Sequence, residues 1–272
     1  MTLTPEQVSQ FQEQGYTAAP TLFTADEARA MKAELTRLQN EDKFRNVSTE
    51  GDGKTHSSAR RNLQICPLNP HSDLFRALPF CEKIIQAVTQ LIGDPLVLHL
   101  DQVFLKPARH GSGTNWHQDN AYFGLTDPTK GTAMWIAVDP ASVDNGTIHV
   151  IPGYTRRRLE HQRDPESDHH IRCHPPEELA VPIELPAGGA AFFAYGTPHC
   201  TRANNTDRDR AGVAFHFLNG QYLNDTGLDT RTLLGTRLTG DDATGGEREY
   251  GERIAGDWPR HVEQALTREP AL

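Results

Sequence analysis

From Leu96 to Leu218 the chain is written in short stretches rich in β-branched and aromatic residues, several of them alternating apolar with polar, separated by glycine and proline turn signals. Strands turn successive side chains to opposite faces, so such stretches must pair into sheets that bury at least one face. Strands are expected at 96–105, around 115–119, at 132–139, as a short edge piece closed by proline at 149–153, and at 181–185, 190–194 and 210–218. Helices come first. Thr4 with Pro5 and Gln7, and Thr24 with Glu27, have the spacing of helix N-termini, and Gly15 follows the first helix as a stop. A third helix fits Phe80 to Leu91, with Ile84, Ile85, Val88 and Leu91 inward and Gly93 after its end. Helices followed by about eight short strands predict an α+β, mainly β chain whose β part is a jelly roll. A single domain is expected over 1–272: a helical part to about 93, a jelly-roll core over 94–220, and a polar extension over 221–272.

Two polar segments interrupt this scaffold. Residues 40–61 have almost nothing apolar to anchor them, and residues 155–180 are charged and histidine-rich without a period, so both read as loops. Long loops in a compact domain are commonly functional, and a lid over the mouth of the barrel is the role expected here. Both carry arginines, Arg60 and Arg61 in one and Arg156 to Arg158 in the other, which lean weakly toward an anionic substrate. The cluster Asp168, His169, His170, Cys173, His174 repeats no known ligand spacing and reads as loop polarity.

A formal charge of −9 without a long basic run excludes a nucleic-acid partner and leaves a small-molecule substrate. No stretch of eighteen apolar residues occurs and the N-terminus lacks a charged segment followed by an apolar run, so no membrane association is expected. Cys66, Cys81, Cys173 and Cys200 have neither zinc-site spacing nor disulfide density, which predicts free thiols and a cytoplasmic location.

Within the core, Asn115 to Phe123 carries His117 and Asp119 two apart. In an extended chain those side chains share a face and can converge on a metal. The spacing alone is weak, since His71 and Asp73 share it and His261 and Glu263 nearly do. The first of these pairs lies in a proline-rich turn entering a helix, and the second in a helix, where two apart is the wrong interval. A third ligand is available in His199, and two histidines with one carboxylate are the set of non-haem Fe(II) oxygenases.

Three ordered segments then carry a resemblance: Trp116-His117-Gln118-Asp119, the Asn145–Gly153 segment with its NG and PG pairs, and Gly196–Asn205 around His199. Over roughly residues 5 to 220 the chain resembles the phytanoyl-CoA dioxygenase family, Fe(II)- and 2-oxoglutarate-dependent oxygenases built on a double-stranded β-helix. The resemblance implies that His117, Asp119 and His199 hold iron. It places Arg210, eleven positions after His199, on the far carboxylate of 2-oxoglutarate, where a planar guanidinium matches two oxygens. Thr201 stands at a hydroxyl position beside that carboxylate, Trp135 at a tryptophan by the cosubstrate, and Gln102 at a pocket-lining position. The chain departs from the family in lacking the usual glycine after the distal histidine, where it has Cys200. The implied reaction consumes O2 and 2-oxoglutarate, releases succinate and CO2, and hydroxylates an unactivated C–H bond. Family members that halogenate have a small residue in place of the carboxylate, so Asp119 favours hydroxylation or a related oxidation. A cupin-type metal enzyme without 2-oxoglutarate, and a non-catalytic jelly-roll binding protein, remain the alternatives.

Overall fold

The structure is a computed structural model and describes residues 3–225 and 235–268. Its larger sheet runs in the order Tyr16–Ala19, Ala190–Ala194, Gly131–Ala137, Arg210–Asn219, Leu96–Lys106, Leu63–Ile65, Arg45–Asn46, with Thr236–Arg237 also paired to Leu96–Lys106. A smaller sheet has the order Val181–Ile183, Ile148–Val150, His199–Thr201, Thr114–His117. Every pairing is antiparallel. The architecture is a jelly roll with helices packed outside, as the patterning predicts.

The period of two sorts the larger sheet into two cores. Met134, Ile136, Val213, Phe215 and Phe217 point to the helical side, where they meet Met31, Leu35, Ile84 and Val88. Their neighbours Ala133, Trp135, Ala137 and Ala214 point the other way and pack with Ile148, Val150 and Phe193 between the sheets. The helices form where their caps lie: Thr4 and Thr24 both complete capping boxes, and Gly15 closes the first helix in the left-handed conformation. A helix at Trp258–Thr267 packs back against Ala25–Asn40, so part of the polar C-terminal extension belongs to the helical layer.

Three expectations need correction. The first 93 residues are not only helical, because Tyr16–Ala19, Arg45–Asn46 and Leu63–Ile65 join the larger sheet. Ile148–Val150 is an interior strand with neighbours on both sides rather than an edge piece; the proline that suggested an edge, Pro152, falls beyond its end. The loops at 40–61 and 155–180 are anchored to each other by polar bonds that a search for apolar anchors overlooks. Thr49 donates its backbone N–H to Glu166 and its hydroxyl to Pro165, Asp168 donates its N–H to Val47, and Arg45 pairs with Asp168. The second loop also folds into a small hairpin, Gln162–Arg163 against Ile171–Arg172.

Candidate metal centre

His117 and His199 are direct cross-strand partners in the smaller sheet, so their imidazoles leave on the same face with ring centroids 4.2 Å apart. The register then shifts: His199 faces His117 while Thr201 faces Thr114, a bulge beside Cys200. Asp119 arrives differently from the expected alternation. The strand ends at His117, and Asp119 has helical dihedrals at the start of the Asn120–Phe123 turn, which swings the carboxylate back toward the imidazoles. Asp119 Oδ1 lies 3.8 Å from His117 Nε2 and 3.7 Å from His199 Nε2. One donor atom from each residue falls within 4.8 Å of the other two, the only such group of three among the described residues.

The donor chemistry fits a divalent cation. His117 Nδ1 donates to the Asn115 carbonyl at 2.8 Å and His199 Nδ1 to the Thr197 carbonyl at 3.0 Å, which fixes both Nε2 atoms as lone-pair donors. Burial, with His199 adding to it, pushes His117 down to about 3, and burial lowers His199 too, so both rings are neutral as ligation requires. Burial alone would raise Asp119, but the three histidines around it, His199 foremost, outweigh that and hold its carboxyl below the usual range. A buried carboxylate whose Oδ2 makes no hydrogen bond is costly unless a cation joins it. His216, which the sequence reading did not single out, is 3.4 Å from that oxygen through Nε2.

The triad forms one wall of a partly open cavity. Gln102, Trp135, Thr201 and Arg210 all line it, as do Lys106, His170 and His216, which sequence reasoning missed. Arg210 is buried; its Nη2 donates to the Gly146 carbonyl at 2.6 Å and its guanidinium lies 5.4 Å from the Trp135 ring centre. Burial lowers it to about 10, which leaves it charged at neutral pH. Gly212 permits this arrangement, because a Cβ there would sit 2.3 Å from the Trp135 ring. Thr201 Oγ1 accepts from Lys106 Nζ at 2.7 Å and from the Thr114 N–H at 3.0 Å, so its own proton is left to donate. Gln102 Oε1 accepts from Gln64 Nε2 at 2.9 Å.

A period-two reading could have found two of the missed residues. Lys106 shares a strand face with Gln102, and His216 shares one with Arg210, each an even number of positions away. His170 gave no such signal. It reaches the cavity from the hairpin, where its ring lies 6.0 Å from His117 and 5.9 Å from Phe104, and Nε2 is buried without a partner. The rest of the cluster is structural: His169 binds Asp168, and Cys173 packs with Trp116, Ile151 and Cys200. The arginines that suggested an anionic substrate do not line the cavity. Arg60 binds the Thr49 carbonyl and faces Glu166, Arg156 faces Asp127, and Arg157 stacks on Tyr154.

The model of the phytanoyl-CoA dioxygenase family matches residues 11–212, across both sheets and all three ligands. The chain belongs to this family. The ectoine dioxygenase of Halomonas elongata is 26% identical over 236 residues, covering 78% of this chain and 69% of its own. Mouse phytanoyl-CoA dioxygenase domain-containing protein 1 is 24% identical over 265 residues, covering 79% and 90%. Among solved structures, the epimerase SnoN in complex with Fe3+, alpha ketoglutarate and nogalamycin RO superposes with a TM-score of 0.67 at 23% identity, covering 87% of this chain and 95% of that one. The family member described here is therefore a 2-oxoglutarate-dependent non-haem iron dioxygenase with a buried His117-Asp119-His199 triad. No helix among the described residues is long and apolar enough to cross a membrane, and all four cysteines are free.

Proposed function

We propose that this dioxygenase hydroxylates an unactivated C–H bond of a small-molecule substrate, with 2-oxoglutarate anchored at the Arg210 end of the cavity. The observation that carries the reading is the pairing, within one cavity, of the His–Asp–His face with a buried guanidinium that forms no ion pair with a carboxylate among the described residues. Such a cation calls for an anion from outside the chain. The far carboxylate of 2-oxoglutarate supplies one, bonded by Arg210 and by the spare Thr201 proton, while Trp135 and Phe193 wall the carbon chain between that end and the triad.

His117, Asp119 and His199 would hold Fe(II) on one side. Bound iron supplies the activation of O2 and the oxidative decarboxylation of 2-oxoglutarate to succinate and CO2. The chain's own residues position and shield: the Asn115 and Thr197 carbonyls fix the imidazole tautomers, and the presence of Asp119 supports hydroxylation over halide transfer. The prime substrate enters on the side of Gln102, Phe104 and His170, beneath the hairpin, and the hairpin with the 45–60 segment selects it. Four free thiols, three of them buried, suit a reducing cytoplasm.

Succinate release from 2-oxoglutarate by the Fe(II)-loaded protein, abolished by chelation, is the test. Screening that turnover against a metabolite library identifies the substrate. A protein that binds iron but never consumes 2-oxoglutarate would overturn the proposal in favour of a metal enzyme without this cosubstrate.

A further inference from the structure

A second, smaller pocket lies where the two loops interlock, next to the triad cavity and sharing the His170 wall with it. Its polar walls are mostly oxygens. Ser48 and Asn62 supply one side, Asp164, Glu166 and Ser167 the other, and no lysine or arginine lines it. His170 is the only imidazole among its walls, and burial holds that ring neutral.

Asp164 is 2% exposed and has no ion-pair partner among the described residues. Its oxygens accept from Asn115 Nδ2 at 3.1 and 3.0 Å and from the Glu166 N–H at 3.0 Å, bonds to neutral groups that leave the charge itself unanswered. Glu166 reaches the same Asn115 nitrogen at 3.4 Å, so one neutral amide holds two carboxylates together. The Arg163 guanidinium is spent on the His170 and Asp168 carbonyls, and Arg60 approaches Glu166 rather than Asp164.

A further observation is independent of these charges. Asn62, 3% exposed, donates Nδ2 to Thr114 Oγ1 at 3.2 Å, while its Oδ1 is buried without a hydrogen-bond partner. A buried carbonyl oxygen left unpaired costs free energy, and so does a buried carboxylate without a cation. Both belong to the walls of this one pocket. A positive charge coordinated by oxygens answers both, and the Ser48 and Ser167 hydroxyls offer uncharged ligands beside them.

We propose that this pocket binds a hard metal cation of the calcium class, held by the Asp164 and Glu166 carboxylates and by Asn62 Oδ1. Two carboxylates balance a divalent ion, and a set of oxygens without a thiol suits a hard cation over the softer transition metals. The site goes beyond the dioxygenase reading and does not depend on it. Asn62 follows the 45–60 segment, whereas Asp164 and Glu166 lie between the two strands of the hairpin, so a bound ion ties the hairpin to the scaffold beside the cavity.

The test uses full-length protein whose triad is filled with one equivalent of Zn(II), so that added calcium reports on the second pocket. Calorimetry with calcium chloride is expected to show one further ion bound per chain. Binding should raise the thermal midpoint and slow amide exchange over 45–60 and 162–172. Sodium chloride and methylammonium chloride are the comparison cations, the second standing for an organic amine. Glu166→Gln, at an exposed position, is expected to weaken calcium about tenfold or more, and Asp164→Asn further, with zinc content unchanged. Should Asp164→Asn fail to fold, Glu166→Gln carries the comparison. Absence of calcium binding in wild type, wild-type affinity in the folded variants, or amide exchange in the two loops that ignores calcium overturns the site. Tighter binding of sodium or methylammonium than of calcium overturns its assignment to a divalent metal.

Discussion

His216 Nε2 stands 3.4 Å from Asp119 Oδ2, on the side of the carboxylate away from the two ligand imidazoles. Oδ1 thus faces His117 and His199 while the His216 ring lies beside the other oxygen, close but without a hydrogen bond. Groups that orient a ligand in this way typically change metal affinity by about 10- to 100-fold when removed. His216→Ala is expected to weaken Fe(II) binding by that order with the far-ultraviolet spectrum unchanged. Iron affinity equal to wild type would show that the short turn at Asn120–Phe123 orients Asp119 unaided.

The ligands themselves should behave more starkly. His117→Ala, Asp119→Ala and His199→Ala remove donor atoms and little core volume, so each is expected to lose stoichiometric iron and turnover while remaining folded. Iron content and circular dichroism should be measured on the same samples. Full iron-dependent activity in Asp119→Ala would contradict the assignment of the triad.

At the far end of the cavity, Arg210→Ala is expected to raise the KM for 2-oxoglutarate much more than that for the prime substrate. A charged hydrogen bond lost from a buried site costs about 1.5–3 kcal/mol, roughly ten- to a hundredfold in affinity. Arg210→Lys should recover only part, because an ammonium is a point charge and the guanidinium a fork. An unchanged KM for 2-oxoglutarate would remove Arg210 from the cosubstrate site.

Much of this site was legible in the sequence because it is built on strands. Alternation located the strands at 96–106 and 210–219 almost to the residue, and the motifs around His117 and His199 lie on two paired strands of the smaller sheet. The path to Asp119 was not legible, because helical dihedrals after a strand leave no trace in a two-residue spacing. Lys106 and His216 went unnoticed for a different reason: each reads as an ordinary polar residue until the register sets it opposite Arg210 or beside Asp119. His170 is the hardest case, since its place over the cavity depends on polar bonds between two loops that have no periodicity to read.

Buried neutral histidines also make the protein acid-sensitive. Burial, with His216 adding to it, pushes His99 down to about 3, and burial takes His170 well below its ordinary value. Both lie below the unfolded value of about 6.5, so under that pH the unfolded chain binds protons that the folded chain refuses. Stability therefore falls as pH drops below about 6.5, and for His99 by about 1.4 kcal/mol per pH unit toward 3. Urea midpoints of the metal-free protein at pH 6.5 and 4.5 should differ, and His99→Gln should reduce the difference by roughly 2–3 kcal/mol. An equal pH dependence in the variant would mean that His99 protonates freely in the folded protein.

The hairpin at Gln162–Arg172 is held over the cavity in part by the 45–60 segment, beside its bonds to Asn115 and Tyr122. Thr49 bonds Pro165 and Glu166, Arg60 bonds the Thr49 carbonyl and faces Glu166, and Gly53 donates its N–H to Pro165. None of Thr49, Gly53 or Arg60 lines the cavity itself. Loosening these fasteners should therefore disturb the cover over the prime substrate and leave the iron and 2-oxoglutarate ends in place. The double variant Thr49→Val, Arg60→Ala is expected to consume 2-oxoglutarate at the wild-type rate without prime substrate but to couple less of it to hydroxylation. The exposed ion pair contributes little by itself, which is why the buried Thr49 hydroxyl is removed with it. Succinate released per product formed is the quantity to compare, with a substrate identified by the turnover screen. If uncoupled and coupled rates fell in proportion, the interlocked loops would be supporting the sheets, and substrate selection would have to be sought deeper in the cavity, at Gln102 and Phe104.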